Sequence, residues 1–255
     1  MLKRNISKYG WRPDLPDQRD LVYRVGAPVA LPPSVDLRPG MPKVYDQAQL
    51  GSCTANAIGG AIEFDLLKQK QTDFVPSRLF IYYNERAIEG TVRQDSGAQI
   101  RDGVKAVNKL GVPPEALWPY SDANPGPFQK KPTAAVFKAA LPHVVTTYMR
   151  VNQTEQDVKT CLAQGFPVVF GFTVYEGFES QEVATTGILN MPAPTEKSLG
   201  GHAVLCCGYD DATKRFLVRN SWGQWGLDGY FTMPYAYLLN PNLASDLWTI
   251  RALKA

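Results

Sequence analysis

The hydrophobic period changes part-way along the chain, and that change limits the folds open to it. The helical patterns come first. One runs from Cys53 to about Gln69, with Ile58, Ala61, Ile62 and Leu66 on one face of a 3.6-residue repeat. A second starts at Pro76-Ser77, with Ser77 placed as an N-cap, and runs to Arg86. A third covers Gln99 to Leu110 and stops at Gly111, with Pro113 beyond. A fourth, Thr154 to Gln164, opens with Thr154 and has Asp157 three residues on, like a capping box. Strand patterns then dominate: Pro167–Val174, His202–Tyr209, Arg215–Asn220, Gly229–Met233 and Asp246–Arg251. Gly208-Tyr-Asp-Asp211 between two of them reads as a hairpin. Helices followed by antiparallel strands make an α+β fold.

A length of 255 residues fits one large domain or two intimate lobes. Asp122 to Pro132, with Pro125, Gly126, Pro127 and Pro132, is the crossover between them. The compact body is expected over 31–255, with a helical lobe at about 36–125 and a β lobe at about 133–251. Residues 1–30 are polar and turn-rich and read as an irregular arm. Tyr9, Trp11, Leu15, Leu21, Val22 and Tyr23 require part of this arm to dock on the body. It lacks any helix or strand period, so it should bind extended. It either covers a site or braces the back of a lobe.

Composition excludes several classes of function. The net charge of +3 is spread without a basic cluster, so nothing points to nucleic acid or an anionic membrane. No apolar run reaches the ~18 residues of a spanning helix. Met1-Leu-Lys-Arg-Asn-Ile6 is followed by no apolar stretch of the signal-peptide kind. The compartment stays open between cytoplasm and export by another route. Cys53, Cys161, Cys206 and Cys207 show no zinc-ligand spacing, and four cysteines make a thin disulfide framework for this length. A core that holds without disulfides is expected. Adjacent Cys206 and Cys207 point to opposite faces of a strand, and Cys161 to the inner face of its helix.

The chemistry sits in Gln47-Ala-Gln-Leu-Gly51-Ser52-Cys53-Thr54. A thiol in the first turn of a helix feels unpaired N–H groups and the positive dipole end, which favour thiolate. A thiolate needs an acid for the leaving group, and the histidines are His143 and His202. Gly200 and Gly201 leave the approach to His202 open, whereas His143 follows a proline in a poorly patterned stretch and reads as a surface or helix-edge histidine.

Together these residues resemble the papain–cathepsin family of cysteine peptidases, in the manner of its divergent bacterial members. The pieces occur in order from about Leu31 to Arg251: Val35-Asp-Leu-Arg38, Gln47 to Cys53, Ser96-Gly97, Pro119-Tyr120, Gly201-His-Ala-Val204, Asn220-Ser-Trp-Gly223 and then Trp225-Gly226 and Gly229-Tyr230. The resemblance implies a papain-like two-lobe fold, with a helical lobe, an antiparallel β-barrel-like lobe and a cleft between them. It implies Cys53 as nucleophile, His202 as general acid and base, Asn220 orienting the imidazole, Trp222 covering that bond, and Gln47 with the Cys53 N–H as the oxyanion hole. Gly97 would pair its backbone with an extended peptide, and Ser96, Ala203 and Trp222 would also meet substrate.

The departures are Leu50 in place of a disulfide cysteine, Thr54 after the nucleophile, Gly201 before the histidine, and a shortened Asn-Ser-Trp-Gly segment. The function implied is an endopeptidase working through an acyl-enzyme thioester on peptide or protein substrates, without metal or cofactor, as a monomer. Intramolecular inhibition by residues 1–30 is a further expectation. The alternatives are an exopeptidase or transpeptidase, in which 176–199 blocks one end of the cleft, and an inactive binding module on the same fold.

Overall fold

The computed structural model describes residues 9–24 and 30–253. The start Met1–Ile6 and the arm positions around Pro28 lie outside the described residues. A short strand, β1 (Ser34–Asp36), precedes three helices: α1 (Cys53–Lys68), α2 (Arg78–Ile88) and α3 (Ile100–Leu110). Then come α4 (Ala134–Ala140), β2 (Val145–Arg150), α5 (Glu155–Ala163), β3 (Val168–Tyr175) and α6 (Gln181–Thr186). The chain ends with β4 (Ser198–Asp210), β5 (Arg215–Arg219), β6 (Tyr230–Pro234), α7 (Tyr235–Leu238) and β7 (Ala244–Leu253).

Local chemistry places the ends of these elements. Ser77 Oγ accepts the Phe80 N–H at 3.2 Å and opens α2. Thr154 Oγ1 accepts the Asp157 N–H at 3.1 Å and opens α5. Gly111, at φ +72°, ends α3 in a conformation that a side chain would resist.

The strands form one antiparallel sheet in the order β2-β7-β3-β4-β5-β6, with β1 paired to β4. It stays open rather than closing as a barrel. Among the described residues, β6 carries besides its pairing with β5 the isolated bridges Ile188 to Thr232 and Leu227 to Tyr230, and no pairing with β2. The edge strand β2 was missed by the periodicity: Val145-Thr-Thr-Tyr-Met-Arg150 does not alternate in polarity, and its burial follows no clean period of two. The strand opened by His202 in the sequence reading begins four residues earlier, at Ser198.

Helix α1 is not amphipathic in place. Every residue from Cys53 to Leu66 is buried, because the helix runs between the other helices and the sheet. Ala55, Ala57, Gly59, Gly60 and Ala61 keep it slim enough for that position: a Cβ on Gly60 would come within 3.3 Å of the Arg219 Nε. A shared core joins α1, α2 and α3 to Val169, Leu205, Trp248 and Ile250 of the sheet. A second core, rich in aromatic residues, fills the other sheet face and contains Phe170, Phe172, Phe178, Trp222, Trp225 and Phe231.

All four cysteines are free and buried. Leu50 packs in the shared core, 1% exposed. Arg86 ties several segments together with hydrogen bonds: its guanidinium, fully buried, donates to the carbonyls of Tyr82, Val92, Gln94 and Phe128. Among the described residues no helix is long and apolar enough to cross a membrane, and no group of three or more His, Cys, Asp or Glu side chains is arranged to hold a metal.

Candidate active site

Cys53 opens α1 directly after Gly51-Ser52. The backbone N–H groups of Ala203, Gly10 and Thr54 are directed at its sulfur. Ala203 follows His202 on β4, so this contact brings the first turn of the helix against the central strand of the sheet. Cys53 is fully buried, and burial pushes its thiol up to about 12, with the charge of Glu85 adding to the effect. The three N–H groups oppose this without overcoming it. The lowering expected from the helix terminus is therefore outweighed here by desolvation.

His202 is opposite Phe172 in the β3–β4 register, and Asn220 leaves the end of β5, the neighbour of β4 on its other side. Adjacent strands thus place the two side chains together, with His202 Nε2 and Asn220 Oδ1 2.8 Å apart. The Ser221 backbone N–H donates to the same oxygen at 2.8 Å. That second donor fixes which end of the amide is oxygen, so Nε2 carries the proton and Nδ1 is left as the basic nitrogen of the neutral ring. Trp222 stacks on the imidazole, with centroids 5.1 Å apart and 29° between planes. Trp225 and Phe178 brace Trp222 from behind.

Gln47 is 1% exposed and held at both ends of its amide. Oε1 accepts the Ser221 hydroxyl at 2.6 Å, and Nε2 donates to the Leu50 carbonyl at 3.0 Å. The loop carrying it is pinned further: Tyr120 donates to the Gln47 carbonyl at 2.7 Å, its hydroxyl lies 2.6 Å from Ser52 Oγ, and Asp95 accepts the Gly51 N–H at 3.1 Å. The Gln47 amide nitrogen is thereby preset near the start of α1 rather than free to rotate.

The cleft is filled by the arm. Trp11 pairs with Ala98 as a parallel bridge. Ala98 N–H donates to the Gly10 carbonyl at 2.7 Å, Arg12 N–H to the Ala98 carbonyl at 3.1 Å, and Trp11 N–H to the Gly201 carbonyl at 2.9 Å. Ala98, the neighbour of Gly97, makes this backbone pairing with the arm. Gly97, at φ +66°, clears the path instead: a Cβ there would lie 1.9 Å from the Gly10 carbonyl oxygen. Ser96 turns inward and donates to Thr91 Oγ1 at 2.8 Å. Tyr9 stands edge-on to His202 at 5.9 Å, and its hydroxyl donates to Glu179 at 2.5 Å. The 176–199 segment therefore borders the cleft at Tyr9.

Beyond Arg12 the arm braces the body. Asp20 pairs with Arg101 at 2.5 Å, and Tyr23 N–H donates to the Arg150 carbonyl at 2.7 Å. Tyr9 to Arg12 therefore lie against Ala98, Gly201 and His202, and Asp20 and Tyr23 against Arg101 and Arg150. Trp11 and Tyr23 are buried, but Leu15 and Leu21 remain 70% and 63% exposed, against the expectation that they dock.

His143 lies in the turn after α4 with its ring against Phe74, centroids 4.5 Å apart, and burial lowers its pKa. Sequence reasoning missed Ser221 as the link between Asn220 and Gln47, and it missed Glu85. Glu85 is fully buried, accepts the Thr54 hydroxyl at 2.6 Å, and is pushed up to about 8 by burial. No spacing in the sequence relates these residues; they meet only through the fold.

A sequence model of the papain family of cysteine proteases matches residues 31–244. An uncharacterised peptidase C1-like protein of Acanthamoeba polyphaga mimivirus is 48% identical over 216 residues, 81% of this chain and 68% of that protein. The crystal structure of xylellain, a cysteine protease from Xylella fastidiosa, is 47% identical, covers 99% of both chains and superposes with a TM-score of 0.90. The structure of digestive procathepsin L 3 from the larval midgut of Tenebrio molitor, 20% identical, shares the fold at a TM-score of 0.73 over 92% of this chain and 75% of that one. The chain belongs to the papain family of cysteine proteases.

Proposed function

We propose that the chain hydrolyses peptide bonds through Cys53 and His202, and that residues 9–24 hold the cleft closed until they are displaced. The carrying observation is the His202–Asn220 bond with its oxygen fixed by Ser221, beside a thiol whose sulfur faces the Ala203 N–H. With Nε2 committed to Asn220, Nδ1 is the nitrogen that takes the thiol proton. The thiolate then attacks the carbonyl, the imidazolium gives its proton to the leaving amine, and water hydrolyses the thioester with the imidazole as base. Asn220 holds the ring in the tautomer this needs. Gln47 Nε2 and the Cys53 N–H face the oxygen that becomes negative.

Replacing Gln47 with alanine tests the last assignment. One oxyanion donor is worth about 2.7–4 kcal/mol in the transition state, so kcat should fall about 10²-fold or more while KM changes little. A variant with wild-type kcat and normal folding removes Gln47 from the reaction.

The closed state carries its own pH dependence. Asp14 of the arm lies close to Asp246 of β7; its carboxylate accepts the Trp248 indole N–H at 2.9 Å and the Arg101 N–H at 3.0 Å. Burial, then the charge of Asp246, raises Asp14 to about 6, with Arg101 offsetting part of the rise. Burial also raises Asp246, with the Asp14 N–H and then Arg150 opposing. A carboxyl raised in the docked state binds its proton more tightly there. Docking is therefore strongest below the free carboxyl pKa and weakens as pH rises through about 6. Between about pH 5 and pH 8 the closed fraction should lose about tenfold in its equilibrium constant. Hydrogen exchange at the Trp11 and Arg12 amides, corrected for intrinsic rates, measures this. Protection that is constant or rises over that range contradicts it.

A further inference from the structure

Two loops flank the nucleophile, and a short chain of hydrogen bonds joins them. One is the loop that leads into Cys53; the other is the segment 95–98 that pairs with the arm. Asp95 accepts the Gly51 N–H with both carboxylate oxygens, at 3.1 and 3.2 Å. The Tyr82 hydroxyl of α2 donates to the same carboxylate. The Tyr82 oxygen in turn accepts the Gly97 N–H at 3.1 Å. The path from Gly51 to Gly97 therefore runs through one carboxylate and one phenol.

Tyr82 is a fixed post in this path. Its side chain is fully buried, and the Arg86 guanidinium lies over its ring, 3.8 Å from the centroid. Its hydroxyl both donates and accepts, which fixes the orientation of its proton. Arg86 grips the same segment from behind by donating to the Val92 and Gln94 carbonyls, the second of these directly before Asp95. Helix α2 thus holds the segment at two carbonyls and at the Gly97 N–H. Asp95 is the side chain by which the held segment reaches the nucleophile loop.

The arm shows how closely the two loops approach. Gly10 lies between them. A Cβ on Gly10 would come within 1.8 Å of the Gly51 carbonyl oxygen, and a Cβ on Gly97 within 1.9 Å of the Gly10 carbonyl oxygen. One backbone fills the gap, and its Gly10 N–H is directed at the Cys53 sulfur. The bonds from Asp95 to Gly51 and from Tyr82 to Gly97 involve no arm residue, so they persist when the arm withdraws. The width of the gap beside the sulfur is then set by the body alone.

We propose, on the peptidase reading above, that Tyr82 and Asp95 are positioning residues for peptide cleavage: they fix the gap between Gly51 and Gly97 and so hold a substrate backbone in line with the Cys53 sulfur. Neither touches the reacting atoms. Attack needs the sulfur and the carbonyl carbon about 3–3.5 Å apart and aligned, and a misplacement of about 1 Å costs about 10²-fold. A peptide lies in the gap and depends on its width. A reagent small enough to reach the sulfur without lying in the gap does not, and that difference separates positioning from general support of the fold.

The test uses the full-length chain carrying Trp11→Ala to open the cleft. Tyr82→Phe, Asp95→Ala and Asp95→Asn are added singly, and the first two also together. Two rates are measured per folded molecule: kcat/KM for a peptide that releases a fluorophore, and alkylation of Cys53 by iodoacetamide. The ratio of the first rate to the second should fall about tenfold with Tyr82→Phe and up to about 10²-fold with Asp95→Ala. The double variant should lose little more than Asp95→Ala alone, because both changes break one path. Asp95→Asn keeps an oxygen for the Gly51 N–H and should recover part of the loss. Tyr82→Phe removes a single oxygen from a packed ring, so it carries the test even where Asp95→Ala does not fold. A ratio that stays constant in Tyr82→Phe, with both rates unchanged or both falling equally, overturns the proposal, as do fully additive losses in the double variant. Cleavage of no peptide by the Trp11→Ala chain itself, together with an unreactive Cys53, overturns the peptidase reading, and this proposal with it.

Discussion

Replacing Cys53 or His202 with alanine should lower kcat by a factor on the order of 10⁶, as for the nucleophile and base of serine proteases, and the double variant should lose little more. In the proposed mechanism thiol and imidazole act as one unit. His202 without Cys53 has no acyl acceptor to activate, and Cys53 without His202 loses the base assigned to take its proton. The positions explain why the loss should be confined to chemistry. Both side chains lie at the junction of α1 and β4; apart from the stack of His202 on Trp222 and its bond to Asn220, the surrounding packing comes from their neighbours: Ala55 and Ile58 on the helix, Val204 and Leu205 on the strand. Alanine at either position leaves those contacts in place, so thermal unfolding should move far less than activity. Additive losses in the double variant would show that the two groups do not share one reaction path.

Trp11→Ala should raise the rate of Cys53 modification and of small-peptide cleavage by roughly 10²–10³-fold. The arm is pinned over the nucleophile by three backbone hydrogen bonds and by one ring, and that ring is 7% exposed between Gly171 and Gly201. Removing a buried tryptophan costs about 3–5 kcal/mol, and here the cost falls on the docked arm alone. The bracing segment from Asp20 to Tyr23, with its Asp20–Arg101 pair, should stay attached and keep the opened segment, Asp14 included, tethered nearby. Lower thermal stability with no gain in reactivity per folded molecule would make the arm a brace throughout its length.

Much of this arrangement was legible in the sequence where local chemistry dictates it. Ser77 and Thr154 cap their helices, Gly111 ends α3, and the ordered pieces around Cys53, His202 and Asn220 identify the family. Features set by tertiary contact were not legible. The pattern of Ile58, Ala61, Ile62 and Leu66 marks one apolar face, but the other faces of α1 are buried as well, and its small residues permit it. The strand β2 is an edge whose exposure follows its partner β7 rather than an alternation of its own. The arm carried a signal in Tyr9, Trp11 and Tyr23, and the glycines at 97, 171, 200 and 201 carried the complementary one, since each clears space for it. Gly200 and Gly201 looked like an open approach to a histidine; in the fold they admit Tyr9 and Trp11. Asp246 and Asp95 gave no signal, because a single acidic residue in a strand or a loop is ordinary until its neighbours are known.

Site-resolved labelling with a thiol-reactive peptide epoxide tests the central claim most directly. The full-length protein and its Trp11→Ala variant are treated at neutral pH, and each cysteine is followed by mass spectrometry. The account predicts modification at Cys53 alone among Cys53, Cys161, Cys206 and Cys207, slow in the parent, roughly 10²–10³-fold faster in the variant, and abolished by His202→Ala. Equal rates in parent and variant, or modification spread over the other cysteines, would contradict it.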